Sequence, residues 1–152
     1  MSQSIEERLA TDGYCVQTTV GMSMYPMLRN RRDRVVIRPA EKAGLRRGDL
    51  PLYRRPDGKY LLHRIIGVKD GYYVIRGDNT YAKEKVPHEW ILGVMTEFYR
   101  GDRHVRAEQK SYRFYAAAWH AVYPIRVCLH AMRGFASRVK RKLLGGASKA
   151  KK

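Results

Sequence analysis

The chain has 152 residues, a net charge of +17 and 44% hydrophobic residues. This size predicts one domain, or one domain with an appendage, and the hydrophobic content is sufficient for a buried core. Every 18-residue stretch contains a charged side chain and the first residues lack an apolar signal core, so we expect neither a membrane-spanning helix nor a secretory signal.

Residues 1–110 alternate between short runs of strand-forming residues and tight turns. A short helix is predicted over residues 4–11, where Ser4 can cap the first turn. Turn sequences such as Asp57-Gly58 separate the segments that follow. The predicted strands cover residues 14–20, 34–38, 50–54, 59–68, 72–76, 90–99 and 103–107. This pattern predicts a mainly β domain, an antiparallel coiled sheet or barrel over residues 1–110.

The period of the apolar residues changes after residue 110. Apolar side chains recur every three to four positions from Tyr112 to Leu143, and we expect a kink or break at Pro124. Residues 111–152 contain ten Lys or Arg and no Asp or Glu. We therefore predict a second part, a basic amphipathic helical extension with a short tail, over residues 111–152.

A helix of this composition favours an anionic partner. We expect it to lie on an anionic membrane surface. Because neither a secretory signal nor a clear spanning helix is expected, we predict that the protein is cytoplasmic or peripherally membrane-associated. The alternatives are a helix packed on the β domain with a solvated basic face, and a spanning hairpin that would bury arginines at high cost. Nucleic acid is disfavoured because no known nucleic-acid module accompanies the charge. The residues expected to contact the membrane are Trp119, Arg126, Arg133, Phe135, Arg138, Lys140 and Arg141.

The two cysteines, Cys15 and Cys128, are far apart and belong to no CxxC or CxxH spacing. Zinc is therefore not indicated, and we expect neither a metal nor a cofactor. Free thiols in a reducing compartment fit this pattern, and a single disulfide between the two residues stays open.

Three short segments carry the polar groups of a hydrolytic site. Gly21-Met22-Ser23-Met24-Tyr25-Pro26 places a hydroxyl at a turn, and Leu61-Leu62-His63-Arg64-Ile65 places an imidazole in an apolar run. Arg76-Gly77-Asp78-Asn79 adds a carboxylate. A serine nucleophile needs a base within hydrogen-bond reach, and histidine can act as that base at neutral pH. Taken singly, these residues are typical of a turn serine, a structural histidine and a turn aspartate; together they indicate a Ser/His hydrolase.

The order and spacing of these segments resemble the signal peptidase I-like superfamily of serine peptidases, over about residues 15–100. Arg47-Gly48-Asp49-Leu50-Pro51-Leu52-Tyr53 is similar to a Gly-Asp and strand element of that superfamily. His63 is similar to the base of the microsomal, archaeal and sporulation-type branch, where housekeeping bacterial enzymes and self-cleaving repressors have lysine. The resemblance implies their coiled β fold, with Ser23 as nucleophile, His63 as general base and Asp78 as the group that orients the imidazole.

The same resemblance implies further features of the site. The backbone N–H of Ser23 would donate to the oxyanion, and Glu84 lies near the position of a candidate second acid. Gly21 stands where many members have a serine that assists the oxyanion, so the second oxyanion donor stays open.

The function that the resemblance implies is a serine endopeptidase that cleaves a leader or signal segment from exported or modified peptides. The first alternative is a regulatory protein of the same fold that binds a peptide or a membrane surface without cleavage. The second is a self-cleaving repressor-like switch, which is disfavoured because only about 13 residues precede the first predicted strand.

Overall fold

The computed structural model describes the backbone of residues 4–147 and the side chains of residues 4–138. This part of the chain contains nine β-strands and three α-helices. The strands are β1 (Cys15–Thr18), β2 (Arg34–Arg38), β3 (Pro51–Arg54), β4 (Tyr60–Leu62), β5 (Arg64–Lys69), β6 (Tyr72–Arg76), β7 (Glu84–Pro87), β8 (Ile91–Arg100) and β9 (Arg103–Arg106). The helices are α1 (Ile5–Thr11), α2 (Lys110–Ala121) and α3 (Tyr123–Ala147).

The chain divides into two compact units, residues 1–117 and residues 118–152. The expected tail lies mostly outside the described residues.

Two antiparallel sheets form the first unit. The larger sheet is a curled half-barrel with the strand order β1-β2-β8-β3-β4, and β9 pairs with the end of β8. The smaller sheet is the meander β5-β6-β7. The ten-residue strand β8 is central, because β2 pairs along one edge while β3 and β9 share the other. The prediction of a mostly β, antiparallel domain followed by helices is confirmed at this level.

Two apolar clusters stabilise the sheets. The larger cluster lies within the half-barrel and includes Met24 and Leu28, from the loop after β1, together with Ile37 and Met95. In the second cluster, Tyr53 of β3 packs against residues of β5, β6 and β7. The first cluster thus anchors the loop that carries Ser23, and the second joins the two sheets.

The single strand expected over residues 59–68 is wrong. Its two halves belong to different sheets, since β4 pairs with β3 whereas β5 pairs with β6. The chain crosses between the sheets at His63, which belongs to neither strand. Ile65 fixes the start of β5, because its N–H donates to the Asp49 carbonyl and its carbonyl accepts from Gly48 N–H, both at 2.9 Å. The crossing therefore leaves the His63 side chain at the junction of the sheets.

The C-terminal helices differ from the expectation in two respects. Tyr112 of α2 is buried in the core of the first unit, which extends to residue 117, past the boundary expected after residue 110. The helical segment breaks at Val122 and not at Pro124. Proline is tolerated in the first turn of a helix, where its N–H would have no intrahelical partner, so Pro124 fits the start of α3. Among the described helices, none has the length and apolarity needed to cross a membrane.

Candidate active site

Ser23 lies on the loop between β1 and β2. Gly21 has a φ of +95°, a left-handed conformation that favours glycine, and its N–H donates to Asn30 Oδ1 at 2.8 Å. Met24 and Leu28, which follow the serine, are buried. The loop is therefore held on both sides of Ser23.

The segment Gly77-Asp78-Asn79 also holds the serine loop. The Asn79 N–H donates to the Ser23 carbonyl at 2.7 Å, and its side-chain amide donates to the Met22 carbonyl at 3.1 Å. Gly77 permits this approach, because a Cβ there would lie 2.7 Å from the Ser23 carbonyl oxygen. Across a trans peptide the N–H points opposite to the C=O. Fixing the Met22 carbonyl therefore also fixes the direction of the Ser23 N–H, the expected oxyanion donor.

The ring of His63 contacts the serine hydroxyl. His63 Nε2 lies 3.0 Å from Ser23 Oγ, although the two residues are 40 positions apart in the chain. A hydroxyl nucleophile and its base need this separation for direct proton transfer. The fold thus brings the expected nucleophile and the expected base together.

The other ring nitrogen of His63 contacts a tyrosine. Nδ1 lies 3.3 Å from the Tyr53 hydroxyl, which donates to Glu84 Oε2 at 2.8 Å. Glu84 also accepts two bonds from Arg55, at 2.6 and 2.7 Å. When Ser23 donates to Nε2, the neutral ring carries its proton on Nδ1 and donates it to Tyr53. Donors and acceptors then match at every contact from Ser23 to Glu84.

Burial and charge set the protonation states of these groups. Burial lowers the pKa of His63 below its ordinary value, against the opposing effect of the Glu84 charge, and this favours a neutral ring at pH 7. Burial, followed by the hydrogen bond to Glu84, raises the pKa of Tyr53 and keeps the phenol protonated. The bonds from Arg55 lower the pKa of Glu84, which stays ionised. A neutral imidazole backed by an ionised carboxylate can accept a proton from serine.

Asp78 does not occupy the position expected for it. Its two carboxylate oxygens accept from Nε and Nη2 of Arg64, each at 2.7 Å, and both side chains are buried. The guanidinium fork matches a carboxylate in this two-bond geometry, so the arginine next to His63 in the chain pairs with Asp78. The resemblance implies Asp78 as the group that orients the imidazole, and the structure places the Tyr53 hydroxyl at Nδ1 of that ring. Glu84, the candidate second acid, reaches the ring through that tyrosine.

A cleft opens beside the contact between Ser23 and His63. Its volume is about 250 Å³, and apolar side chains of the half-barrel line it together with these two residues. Residues 17–21 and β4 also border it, and β1 and β4 are the outer strands of the order given above. Outer strands have backbone groups that can pair with an added extended peptide. An extended peptide in the cleft could therefore place a carbonyl carbon next to Ser23 Oγ.

The residues expected to contact a membrane lie in the second unit. The Arg126 guanidinium stacks over the Trp119 ring, 4.2 Å from its centroid. Arg133, Phe135 and Arg138 are exposed. The side chains of Lys140 and Arg141 lie outside the described residues.

Sequence reasoning missed four residues of the site: Tyr53, Arg55, Arg64 and Asn79. Arg64 and Asn79 are direct neighbours of His63 and Asp78, and Tyr53 is the last residue of the Gly-Asp and strand element, so each lies in a segment that the sequence singles out. Arg55 carries no such signal.

The described side chains indicate no metal centre. Within this set, no three His, Cys, Asp or Glu side chains lie close enough to share a metal ion. Both cysteines are free thiols, with Cys15 buried and Cys128 exposed.

Comparison with known proteins adds no assignment. No protein-family model matches the chain, and no curated protein is significantly similar to it.

Proposed function

We propose that this chain is a serine endopeptidase of the signal peptidase type, which cleaves a leader or signal segment from exported or modified peptides. The observation that carries the proposal is the 3.0 Å contact between Ser23 Oγ and His63 Nε2. Further support comes from the adjoining cleft of about 250 Å³ and from the oriented bonds behind the imidazole. A purely structural serine–histidine pair would need neither feature.

Catalysis begins with attack of Ser23 Oγ on a peptide carbonyl carbon. His63 Nε2 accepts the hydroxyl proton as the new C–O bond forms, and the Ser23 backbone N–H donates to the oxyanion. The imidazolium then gives its proton to the departing amine as the C–N bond breaks, which leaves an acyl-enzyme. A water molecule, deprotonated by the same ring, hydrolyses the ester and restores the serine.

Tyr53 and Glu84 act in this mechanism as positioning residues. While His63 is an imidazolium, its Nδ1–H donates to the Tyr53 oxygen, and the Tyr53 O–H donates to the Glu84 carboxylate. Donation to a carboxylate makes the phenol oxygen a stronger acceptor, because linked hydrogen bonds polarise one another. Arg55 fixes the carboxylate with two bonds. The positive charge on the ring is thus stabilised through a hydroxyl.

The proposed substrate is an extended peptide. It would pair with the backbone of an outer strand at the cleft, while its side chains enter space lined by Val20, Leu52 and Leu62. The resemblance to signal peptidases favours small residues just before the cleaved bond.

Incubation of the full chain with a panel of leader peptides, followed by mass spectrometry, tests the proposal. We expect cleavage at one bond, with fragment masses that sum to the substrate plus one water. The Ser23→Ala variant, purified in the same way, controls for contaminating proteases. The proposal fails if no peptide is cleaved in a Ser23-dependent way and a fluorophosphonate does not label Ser23.

The alternative is a regulatory protein of the same fold that binds peptide without cleavage. The apolar cleft serves either function. The matched donors and acceptors behind His63 favour the peptidase, because binding alone requires no oriented base. A chain that binds leader peptides at the cleft, leaves them intact and resists the fluorophosphonate would establish the alternative.

The pH profile of kcat/KM should reflect the environment of His63. The neutral ring is the active form, so activity rises with pH through the His63 pKa, and burial places that midpoint below the ordinary value of 6.5. In Glu84→Gln the charge that favours the imidazolium is lost, so we expect the acid limb to move to lower pH. The control is Asp70→Asn, on an exposed turn. An unchanged midpoint in Glu84→Gln, or a shift to higher pH, contradicts the arrangement.

Tyr53→Phe should reduce kcat without loss of the fold. It removes the acceptor for the imidazolium Nδ1–H but keeps the ring that packs between the sheets. Hydrogen bonds to charged groups contribute about 1.5–3 kcal/mol, so we expect a loss of about 10- to 100-fold in kcat. Tyr73→Phe is the matched control, because Tyr73 is also fully buried but its hydroxyl donates to the Lys42 carbonyl. Equal losses of kcat in both variants would show that Tyr53 has no specific role.

A further inference from the structure

Helix α3 presents large apolar side chains to solvent. Ile125, Leu129, Met132 and Phe135 are 63%, 50%, 65% and 67% exposed. Their spacing of three to four residues places them on one face of the helix, which we call the apolar face of α3. Apolar residues that are this exposed and contiguous are typical of an interaction surface.

Cationic side chains follow the apolar face along the helix. Arg126 and Arg133 each come one position after a residue of that face, which places them about 100° further round the helix. Arg138 lies beyond them and is exposed. The charge on this segment is of one sign, because residues 111–152 contain no Asp or Glu.

The second unit also contains an arginine–tryptophan pair, and both side chains are amphipathic. The Arg126 guanidinium lies 4.2 Å from the centroid of the Trp119 ring, a cation–π distance. Tryptophan has an apolar body and a polar N–H, and it is enriched where hydrocarbon meets lipid headgroups. The long arginine side chain can likewise place its aliphatic part at lipid depth and its charge in water.

The composition of α3 is unfavourable for a membrane-spanning role. With 25 residues the helix is long enough to cross a bilayer, but it is not apolar enough to do so. Arg126 and Arg133 lie within it and would be costly to bury in lipid. A helix with one apolar face flanked by cationic side chains is stable in the plane of the interface, where each group contacts its preferred medium.

The charge of the segment distinguishes among three partners that could cover the apolar face of α3: a second copy of the helix, a nucleic acid and an anionic bilayer. A second copy of α3 would cover the apolar side chains but would bring two strongly cationic segments together. A nucleic acid would neutralise the arginines but would leave four large apolar side chains in water. An anionic bilayer satisfies both groups at once. We propose that α3 is an interfacial helix that docks the protein on an anionic phospholipid bilayer.

Co-sedimentation of the full chain with vesicles tests this docking, and the measurement does not depend on peptidase activity. The two vesicle types are phosphatidylcholine alone and phosphatidylcholine mixed with phosphatidylglycerol. We expect at least about tenfold tighter binding to the mixed vesicles, because each base near an anionic leaflet contributes about fivefold in affinity. Added salt should weaken that binding.

Two variants separate the contributions of the helix. A charge variant, Arg126→Gln with Arg133→Gln and Arg138→Gln, should bind mixed vesicles about 100-fold more weakly. An apolar variant, Ile125→Ser with Met132→Ser and Phe135→Ser, should lose measurable binding even at low salt. The matched control removes three exposed cations from the first unit, Arg46→Gln with Arg47→Gln and Lys69→Gln, and so has the same net charge as the charge variant. This control should bind the mixed vesicles at least about ten times more tightly than the charge variant does.

Several outcomes would overturn the proposal. Binding that is equal for both vesicle types, or unaffected by the apolar substitutions, excludes an interfacial helix. If the parent chain does not bind vesicles but forms a concentration-dependent dimer, and the apolar substitutions abolish that dimer, the apolar face of α3 binds a second copy of the chain. If the parent and the apolar variant both bind an RNA duplex tightly and neither binds vesicles, the arginines of α3 bind nucleic acid. Circular dichroism and the unfolding transition of each variant exclude a general loss of folding.

Discussion

Replacement of Ser23 by alanine should abolish cleavage of a leader peptide, with a loss in kcat of at least about 10,000-fold. The substitution removes the only atom that can form the acyl-enzyme in the proposed mechanism. It leaves the surrounding loop intact, because Asn79 contacts the carbonyls of residues 22 and 23 and not the hydroxyl. The variant should therefore bind substrate and unfold as the parent does.

His63→Ala should cause a loss of similar size, and the double variant should be no worse than either single variant. The two side chains act as one unit through the 3.0 Å contact, so removing the second adds nothing once the first is absent. Steady-state cleavage of one leader peptide gives the rates, and covalent labelling by a fluorophosphonate checks the nucleophile independently of substrate choice. The controls are Ser111→Ala and His104→Ala, two exposed positions in the first unit.

Losses that multiply in the double variant would contradict a shared mechanism. Full labelling of His63→Ala would likewise show that the serine is activated by some other group. Either result would leave the fold unchanged but would remove the central observation behind the proposed function.

The pairing of Ser23 with His63 could be predicted from the sequence, because the resemblance rests on ordered segments that surround both residues. The group that contacts the other ring nitrogen of His63 could not be predicted in this way. Tyr53 contacts His63 and Glu84 because β3 packs against the smaller sheet, and this packing brings together residues from three separate strands or junctions. Sequence order carries no information on which of several nearby polar atoms lies closest to Nδ1.

Strand boundaries show the same limit. The apolar run around His63 contains no turn residue to mark where the chain leaves one sheet for the other, so the sequence favours one continuous strand. Strand β7 is not predicted because Glu-Lys-Val-Pro contains one strong strand former, and its conformation is imposed by pairing with β6. The resemblance supplies Asp78 as a site residue, but only the structure shows that Arg64 pairs with it.

The ion pair between Arg64 and Asp78 predicts a large effect on stability. Asp78→Asn leaves a guanidinium buried without its carboxylate, and breaking a buried pair in this way costs about 3–5 kcal/mol. Urea unfolding of the full chain should show this decrease in the free energy of unfolding. Replacing both partners, Arg64→Met with Asp78→Leu, should recover part of it, because no unpaired charge is then buried. Asp57→Asn breaks an exposed pair with Lys59 and should have a small effect.

The same Asp78→Asn variant distinguishes a structural aspartate from one that orients the imidazole. The charges of both Glu84 and Asp78 raise the pKa of His63, and Glu84 has the larger effect. At a temperature where Asp78→Asn is fully folded, the acid limb of its pH profile should therefore move to lower pH by less than in Glu84→Gln. A larger shift than in Glu84→Gln, with a free energy of unfolding close to that of the parent, would return the orienting role to Asp78. A large stability loss with a small pH shift would establish that Asp78 acts through Arg64 on the folded state.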